Sequence, residues 1–352
     1  MNIRMKAAVL YQTGSPLKVI NNIEIPDLKP GQVLVKLAFA GICRSQIMEI
    51  KGKRGKDRFL PHLLGHEGTG IVSKVGPQVT KVKPGQRVIL GWIKGEGAEV
   101  SNTAYFKEGI RINAGAVTTF NEYAVVSENR CTSLPDSVPM DVGMLFGCAV
   151  LTGAGIITNE IKPDNGATMA LFGLGGIGTS ALIACNLFDL KQLVVIDPFE
   201  SKRQLALELG ATNVIDPIKC DPVQQIYNLT GGVGVDYAVE CAGLIQTIEQ
   251  SFSSVRNNGG RCVFASHPPE GEKISLEPHA LISGKQISGT WGGDSSPDRD
   301  IPLFSDLYAK GQLPIEKLIS RRYPLEDINL AIEEMEKGLV GRPLIEINPS
   351  LN

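Results

Sequence analysis

The stretch Met169-Ala170-Leu171-Phe172-Gly173-Leu174-Gly175-Gly176-Ile177-Gly178, followed by Leu193-Val194-Val195-Ile196-Asp197, leaves this chain few folds to choose from. An apolar strand runs into a glycine-rich turn, a helical segment follows, and a second strand ends in an acid. Gly173, Gly175 and Gly178 have the G-x-G-x-x-G spacing: the first permits a tight turn, the second lets the backbone approach a pyrophosphate, and the third lets the helix lie close to the strand. The helix start offers free N–H groups and a positive dipole end to phosphates. Asp197 lies 19 residues after the last glycine, where a strand-end carboxylate can accept hydrogen bonds from ribose hydroxyls. The whole reads as a dinucleotide site, with Gly176 and Ile177 completing the turn.

Around this unit the pattern changes along the chain. From Met169 onward strands alternate with helices at 179–188, 201–209 and about 244–256, and further strands fall at 214–215, 235–240, 260–264 and 286–290. Such alternation gives a parallel sheet covered by helices on both faces. Residues 1 to about 125 read instead as short strands (6–11, 33–37, 70–76, 87–90) joined by turns such as Lys29-Pro30-Gly31 and Lys83-Pro84-Gly85, an antiparallel and barrel-like region. After Trp291 two helices (301–310, 326–337) and a strand (343–347) return to that first region. The expected domains are therefore 1–150 and 292–352 for the first, with the nucleotide domain, 151–291, inserted.

With 352 residues, 43% hydrophobic and 20% charged, the chain has the makeup of a globular protein large enough for two domains. A net charge of −2 and no block of basic residues point away from nucleic acid or an anionic membrane as partner. No apolar run approaches a membrane span and Met1–Lys6 lacks the apolar core of a signal peptide, so the expected compartment is the cytoplasm. Seven cysteines without a regular framework fit reduced thiols.

Cys43, His66 and Cys148 are candidate ligands, since thiolate and imidazole suit zinc, and a catalytic zinc keeps three protein ligands and one open position. Spacing alone leaves ordinary buried cysteines as the alternative. Their contexts are Gly41-Ile42-Cys43-Arg44-Ser45, Gly65-His66-Glu67 and Gly147-Cys148-Ala149-Val150-Leu151-Thr152-Gly153. With these, the chain resembles the zinc-dependent medium-chain alcohol dehydrogenases over nearly its whole length. Leu281-Ile282-Ser283-Gly284-Lys285, Gly289-Thr290-Trp291-Gly292-Gly293 and Gly341-Arg342-Pro343 resemble the long-chain and glutathione-dependent branch.

The resemblance implies a Rossmann sheet inserted in a GroES-like barrel domain, one catalytic zinc on Cys43, His66 and Cys148, and NAD as hydride acceptor. The substrate is then a small alcohol or carbonyl compound, the reaction reversible, and the assembly a homodimer or homotetramer paired along the strand at 286–290. It gives Ser45 a bond to the substrate oxygen, against an ordinary turn serine. Glu67 would tune or transiently enter the zinc shell, against a structural acid paired with an arginine. Thr152 meets the nicotinamide, Lys202 the adenine ribose, and Arg342 the pyrophosphate. Two other readings stand beside this one: a zinc-free quinone or enoyl reductase of the same superfamily, which lacks the three ligands, and a catalytically silent nucleotide-binding protein.

Three departures from the family follow. Met48 replaces a histidine of the proton relay and carries no proton. Gln46 stands where an aspartate commonly orients the ligand histidine. Residues 91–120 contain no cysteine, so the four-cysteine lobe of a second, structural zinc is missing. Trp92 falls where the family puts an aromatic wall, and either narrows the substrate channel or packs at the surface. His62, His267, His279 and the other five cysteines are expected to be structural.

Overall fold

The computed structural model describes residues 3–352. The chain divides into two compact units, one made of residues up to 151 with 296–311 and 315–352, the other of 152–295 with 312–314. The return to the first unit thus comes at 296, four residues later than the sequence suggested, and a short piece at 312–314 packs with the second.

The first unit holds two sheets. Arg4–Leu10, Lys18–Glu24, Ala104–Lys107, Ile110–Asn113 and His62–Leu63 close into a small barrel. The second sheet runs Cys131–Ser133, Arg87–Gly91, Glu67–Val75, Gln32–Gly41, Arg342–Glu346, Ile319–Pro324, and Tyr123–Ser127 also pairs with Gln32–Gly41. Gln32–Gly41 lies between two hydrophobic cores and contributes to both. Its side chains alternate faces, so Leu34 packs with Met5, Val9 and Ile23 while Val33, Val35 and Leu37 pack with Val72, Val88 and Leu90. Only an almost wholly apolar strand can be buried on both faces. Gly31 and Gly85, at φ +77 and +84, close the two Pro-Gly turns.

The second unit is one parallel sheet in the order Asn213–Ile215, Gln192–Ile196, Thr168–Phe172, Tyr237–Glu240, Arg261–Phe264, Gln286–Gly289. The order reverses between Thr168–Phe172 and Tyr237–Glu240, a topological switch point at whose carboxyl end doubly wound sheets bind ligands. Gln286–Gly289 is an end strand, as expected. A helix at Pro222–Leu229 was not foreseen, although Asp221 caps it by accepting the Val223 N–H at 2.9 Å and Pro222 takes its first position. Among the described residues no single helix is long and apolar enough to cross a membrane.

Where the cysteine-bearing lobe is missing, residues 92–103 are tied down by polar groups. The Glu128 carboxylate accepts the backbone N–H groups of Thr80, Lys81 and Ala98, and Arg130 donates to the Trp92 carbonyl. Asp298 pairs with Lys81 at 2.6 Å and accepts the Glu96 N–H. Burial works to raise the Glu128 carboxyl, but the three N–H bonds outweigh it and hold the group below its ordinary range.

Candidate metal centre and coenzyme site

Three separate segments bring the metal candidates together. Cys43 precedes the helix Arg44–Ile50 in extended conformation, His66 enters the strand Glu67–Val75, and Cys148 follows the 3-10 turn Met144–Gly147. Gly65 sets the approach to His66. Its φ is +91, and a Cβ there would strike Thr119 and the Phe120 backbone. The ligand atoms of Cys43, His66 and Cys148 lie within 4.8 Å of one another, the one such cluster found among the described residues. His66 Nε2 is 3.3 Å from Cys148 Sγ, which is 3.9 Å from Cys43 Sγ. Tetrahedral zinc with ordinary bond lengths separates two sulfurs by about 3.8 Å and sulfur from nitrogen by about 3.6 Å, so the donor set fits the ion. Cys43 is held well below the usual thiol range by the Cys148 S–H and, against burial, by His66 and Arg342, while Cys148 is pushed well above it.

Behind this cluster lies a buried ion pair. Arg342, on the strand Arg342–Glu346, meets Glu67, and the two side chains are 3% and 0% exposed. Burial raises the Glu67 carboxyl despite the guanidinium beside it. For Arg342 burial acts against its charge, but Glu67 and both thiols overcome it and hold the group above its ordinary value. The Arg342 guanidinium faces Glu67, the pairing with an arginine that stood as the alternative role for this acid. The sequence offered Glu67 an arginine without naming which, because the partners lie far apart in the chain. The Gln46 amide oxygen accepts the Gly65 N–H and its nitrogen donates to Glu49 at 3.3 Å, so it orients the backbone before His66 rather than the ring. Ser45 is half-buried on the first turn of Arg44–Ile50, with Met48 on the same helix. Trp92 is half-buried and its carbonyl is fixed by Arg130.

A cavity of about 240 Å³ reaches His66 within this unit, with Phe59, His62, Leu63, Asn113 and Val117 among its walls. His62 is not idle. One ring nitrogen faces Asp57 at 2.7 Å and the other the Leu63 carbonyl at 3.0 Å.

In the second unit the glycine turn has the form its spacing predicts. Gly173 has φ +89, and a Cβ on it would strike Ala242. A Cβ on Gly178 would strike the Gly173 carbonyl, whereas one on Gly175 would meet nothing within 4 Å. The turn is thus tight behind and open in front, with the helix Gly176–Cys185 starting there, which fits a pyrophosphate cradled by backbone. Asp197 is buried and accepts the N–H groups of Leu174 at 2.8 Å and Phe199 at 2.9 Å, leaving lone pairs on both oxygens. Lys202 sits over the Phe199 ring, and Arg203 is engaged by Asp216 at 3.0 Å. The Thr152 hydroxyl is buried without a hydrogen-bond partner among the described residues. Glu240, unremarked in the sequence, is buried at the end of its strand. One of its oxygens accepts from the Ala242 and Gly243 backbones and the Thr247 hydroxyl, and burial raises its carboxyl despite them.

Comparison with known proteins agrees with this architecture. Residues 29–136 match the alcohol dehydrogenase GroES-like domain and 176–310 the zinc-binding dehydrogenase model. S-(hydroxymethyl)glutathione dehydrogenase of Paracoccus denitrificans is 31% identical, over 96% of this chain and 98% of its own. Benzyl alcohol dehydrogenase of Acinetobacter calcoaceticus superimposes with a TM-score of 0.89 at 29% identity, over 98% of this chain and 99% of its own. A zinc-binding dehydrogenase of Sinorhizobium meliloti 1021, solved with NADP, gives 0.79 at 27% identity, over 98% and 100%. The chain belongs to the zinc-binding alcohol dehydrogenase family, and is an oxidoreductase of GroES-like and Rossmann construction.

Proposed function

We propose that this protein is a zinc- and NAD-dependent alcohol dehydrogenase that interconverts an alcohol with its aldehyde or ketone. The observation that carries the reading is the Cys43, His66, Cys148 cluster, whose separations suit one tetrahedral ion with a position left for substrate. When bound, zinc supplies Lewis acidity toward the alcohol oxygen and the nicotinamide accepts the hydride. The chain's own groups do the rest. Ser45 Oγ hydrogen-bonds the substrate hydroxyl and relays its proton, accepting it as the serine's own proton moves on to water or to the coenzyme ribose, because Met48 cannot carry it. Glu67 and Arg342 set the charge behind the thiolates. The Gly173–Gly178 turn binds the pyrophosphate, the free Thr152 hydroxyl takes the nicotinamide, and Asp197 with Lys202 holds the adenine ribose. Trp92 borders the substrate channel. The Gln286–Gly289 edge is the surface through which copies pair, since an uncovered edge strand invites a partner. The cytoplasm is the proposed compartment.

The test is metal analysis joined to a screen of primary, aromatic, polyol and sugar alcohols followed by nicotinamide absorbance. About one zinc per chain is expected. Chelation should abolish turnover and zinc should restore it. Full hydride transfer by metal-free protein would return the reading to a zinc-free reductase, and metal and coenzyme binding without any turnover to a silent binding protein.

A further inference from the structure

Contrary to the expectation of no basic block, Lys51-Gly52-Lys53-Arg54-Gly55-Lys56-Asp57-Arg58 places five cations in eight residues. Two are engaged: Lys51 with Glu336 at 3.1 Å and Arg54 with Glu49 at 3.6 Å. Lys53, Lys56 and Arg58 are exposed, and none of the ion pairs among the described residues includes them. The segment is nevertheless held in place at its end. Asp57 accepts the Phe59 N–H at 2.8 Å and faces His62 at 2.7 Å, and the Asn113 amide donates to the Phe59 carbonyl at 2.8 Å. Phe59, His62 and Asn113 are all walls of the cavity that reaches His66, and Phe59 is 66% exposed. Glu49, itself a cavity wall, and Asp57 are already engaged by Arg54 and His62, so the positive charge left over lies on Lys53, Lys56 and Arg58, in a segment fastened to an exposed aromatic ring at a cavity.

We propose that this loop recognises the far end of the substrate, and that the preferred alcohols carry an anionic group, carboxylate or phosphate, on an apolar body lying against Phe59, Leu63 and Val117. The proposal rests on the alcohol dehydrogenase reading for the reacting end only. Lys53, Lys56 and Arg58 supply positive charge that both attracts the anion from solution and pairs with it on arrival, and salt should weaken both effects.

The experiment compares para-hydroxymethylbenzoate and the monophosphate of butanediol with para-hydroxymethylbenzamide and butanediol, using the zinc-loaded full chain. The anionic member of each pair should win in kcat/KM by about tenfold or more at about 0.05 M salt, equivalent to about 1.4 kcal/mol, with the advantage shrinking toward about 0.5 M. The two pairs distinguish carboxylate from phosphate. Lys53→Gln/Lys56→Gln/Arg58→Gln should bring the ratio to about one, with zinc content and melting temperature reporting that it is folded. Should that variant fail to fold, the salt series on the unaltered protein and Lys56→Gln alone still decide. Calorimetric titration of acid against amide reads recognition without turnover. Acid binding that the substitutions abolish supports the proposal even where no hydride moves, a result that sinks only the alcohol dehydrogenase reading. Equal handling of acid and amide, or a variant that loses NAD affinity with the acid preference intact, overturns the proposal.

Discussion

The two binding sites are made of different material. The pyrophosphate part of the proposed coenzyme site is backbone, a turn and a helix start, with one strand-end acid nearby, all within residues 173–197. The metal site is side chain: three ligands from separate segments, with Cys43 and Cys148 separated by 105 positions. A backbone site is broken by adding atoms, because Gly173 and Gly178 have no room for a Cβ. A side-chain site is broken by removing them. The metal site also carries charge at its back, in the Glu67–Arg342 pair, so its integrity depends on a second layer for which the glycine turn has no counterpart.

The largest effect that separates the two is expected from Cys148→Ala. Two ligands hold zinc far less well than three, so bound metal should drop from about one per chain to under about a tenth, and turnover with it, by elemental analysis and kinetics. NAD affinity measured by calorimetry should survive, because the turn belongs to the other unit; joint loss of both would erase the contrast. Next, Arg342→Ala strands the Glu67 charge in the interior and should cost about 3–5 kcal/mol of stability in a urea titration. A pyrophosphate-binding arginine would instead lose coenzyme affinity at unchanged stability.

Gly178→Ala should weaken NAD by about 1–3 kcal/mol, roughly fivefold to 150-fold, with zinc retained. Asp197→Ser should erode a preference for NAD over NADP of about one to three powers of ten, since a carboxylate repels the additional phosphate. Equal use of NADP by the unaltered protein would refute the ribose role given to Asp197.

The smallest effects concern two buried acids with opposite signs. Glu128 is held below its ordinary range, so the stability it contributes is present above the unfolded carboxyl value and is lost as pH falls through the folded one. Glu240 is raised, so the folded state keeps its proton longer than the unfolded one, and stability declines as pH rises from the unfolded value through the folded value. Urea midpoints across this range should show Glu128→Gln removing the acid-side loss and Glu240→Gln the decline on the other side. Matching slopes in both variants and the parent would contradict the assignment.

These differences also govern what was legible beforehand. The Gly173–Gly178 turn and its strands could be read directly, because steric demands on neighbouring residues leave a local pattern. The candidate zinc ligands could not be read that way. Cys43, His66 and Cys148 became a set only through resemblance, since a strand register and two turns, not a spacing, bring them together. An arginine was one expected partner of Glu67, but which arginine could not be read for the same reason: nothing near Arg342 in sequence announces Glu67. Asp221-Pro222, by contrast, was a readable helix start that went unread, and the charge of the 51–58 segment was hidden by a net balance of −2.

The loop at residues 92–103 bears on how this protein can be handled. It is fastened by the Glu128 carboxylate and by Asp298, with no thiol to oxidise. Stripping metal with a chelator therefore empties one site and leaves this part of the scaffold standing. The apoprotein should be a folded, reloadable vessel, into which cobalt can be introduced as a spectroscopic reporter without the unfolding and refolding that a metal-fastened lobe would demand.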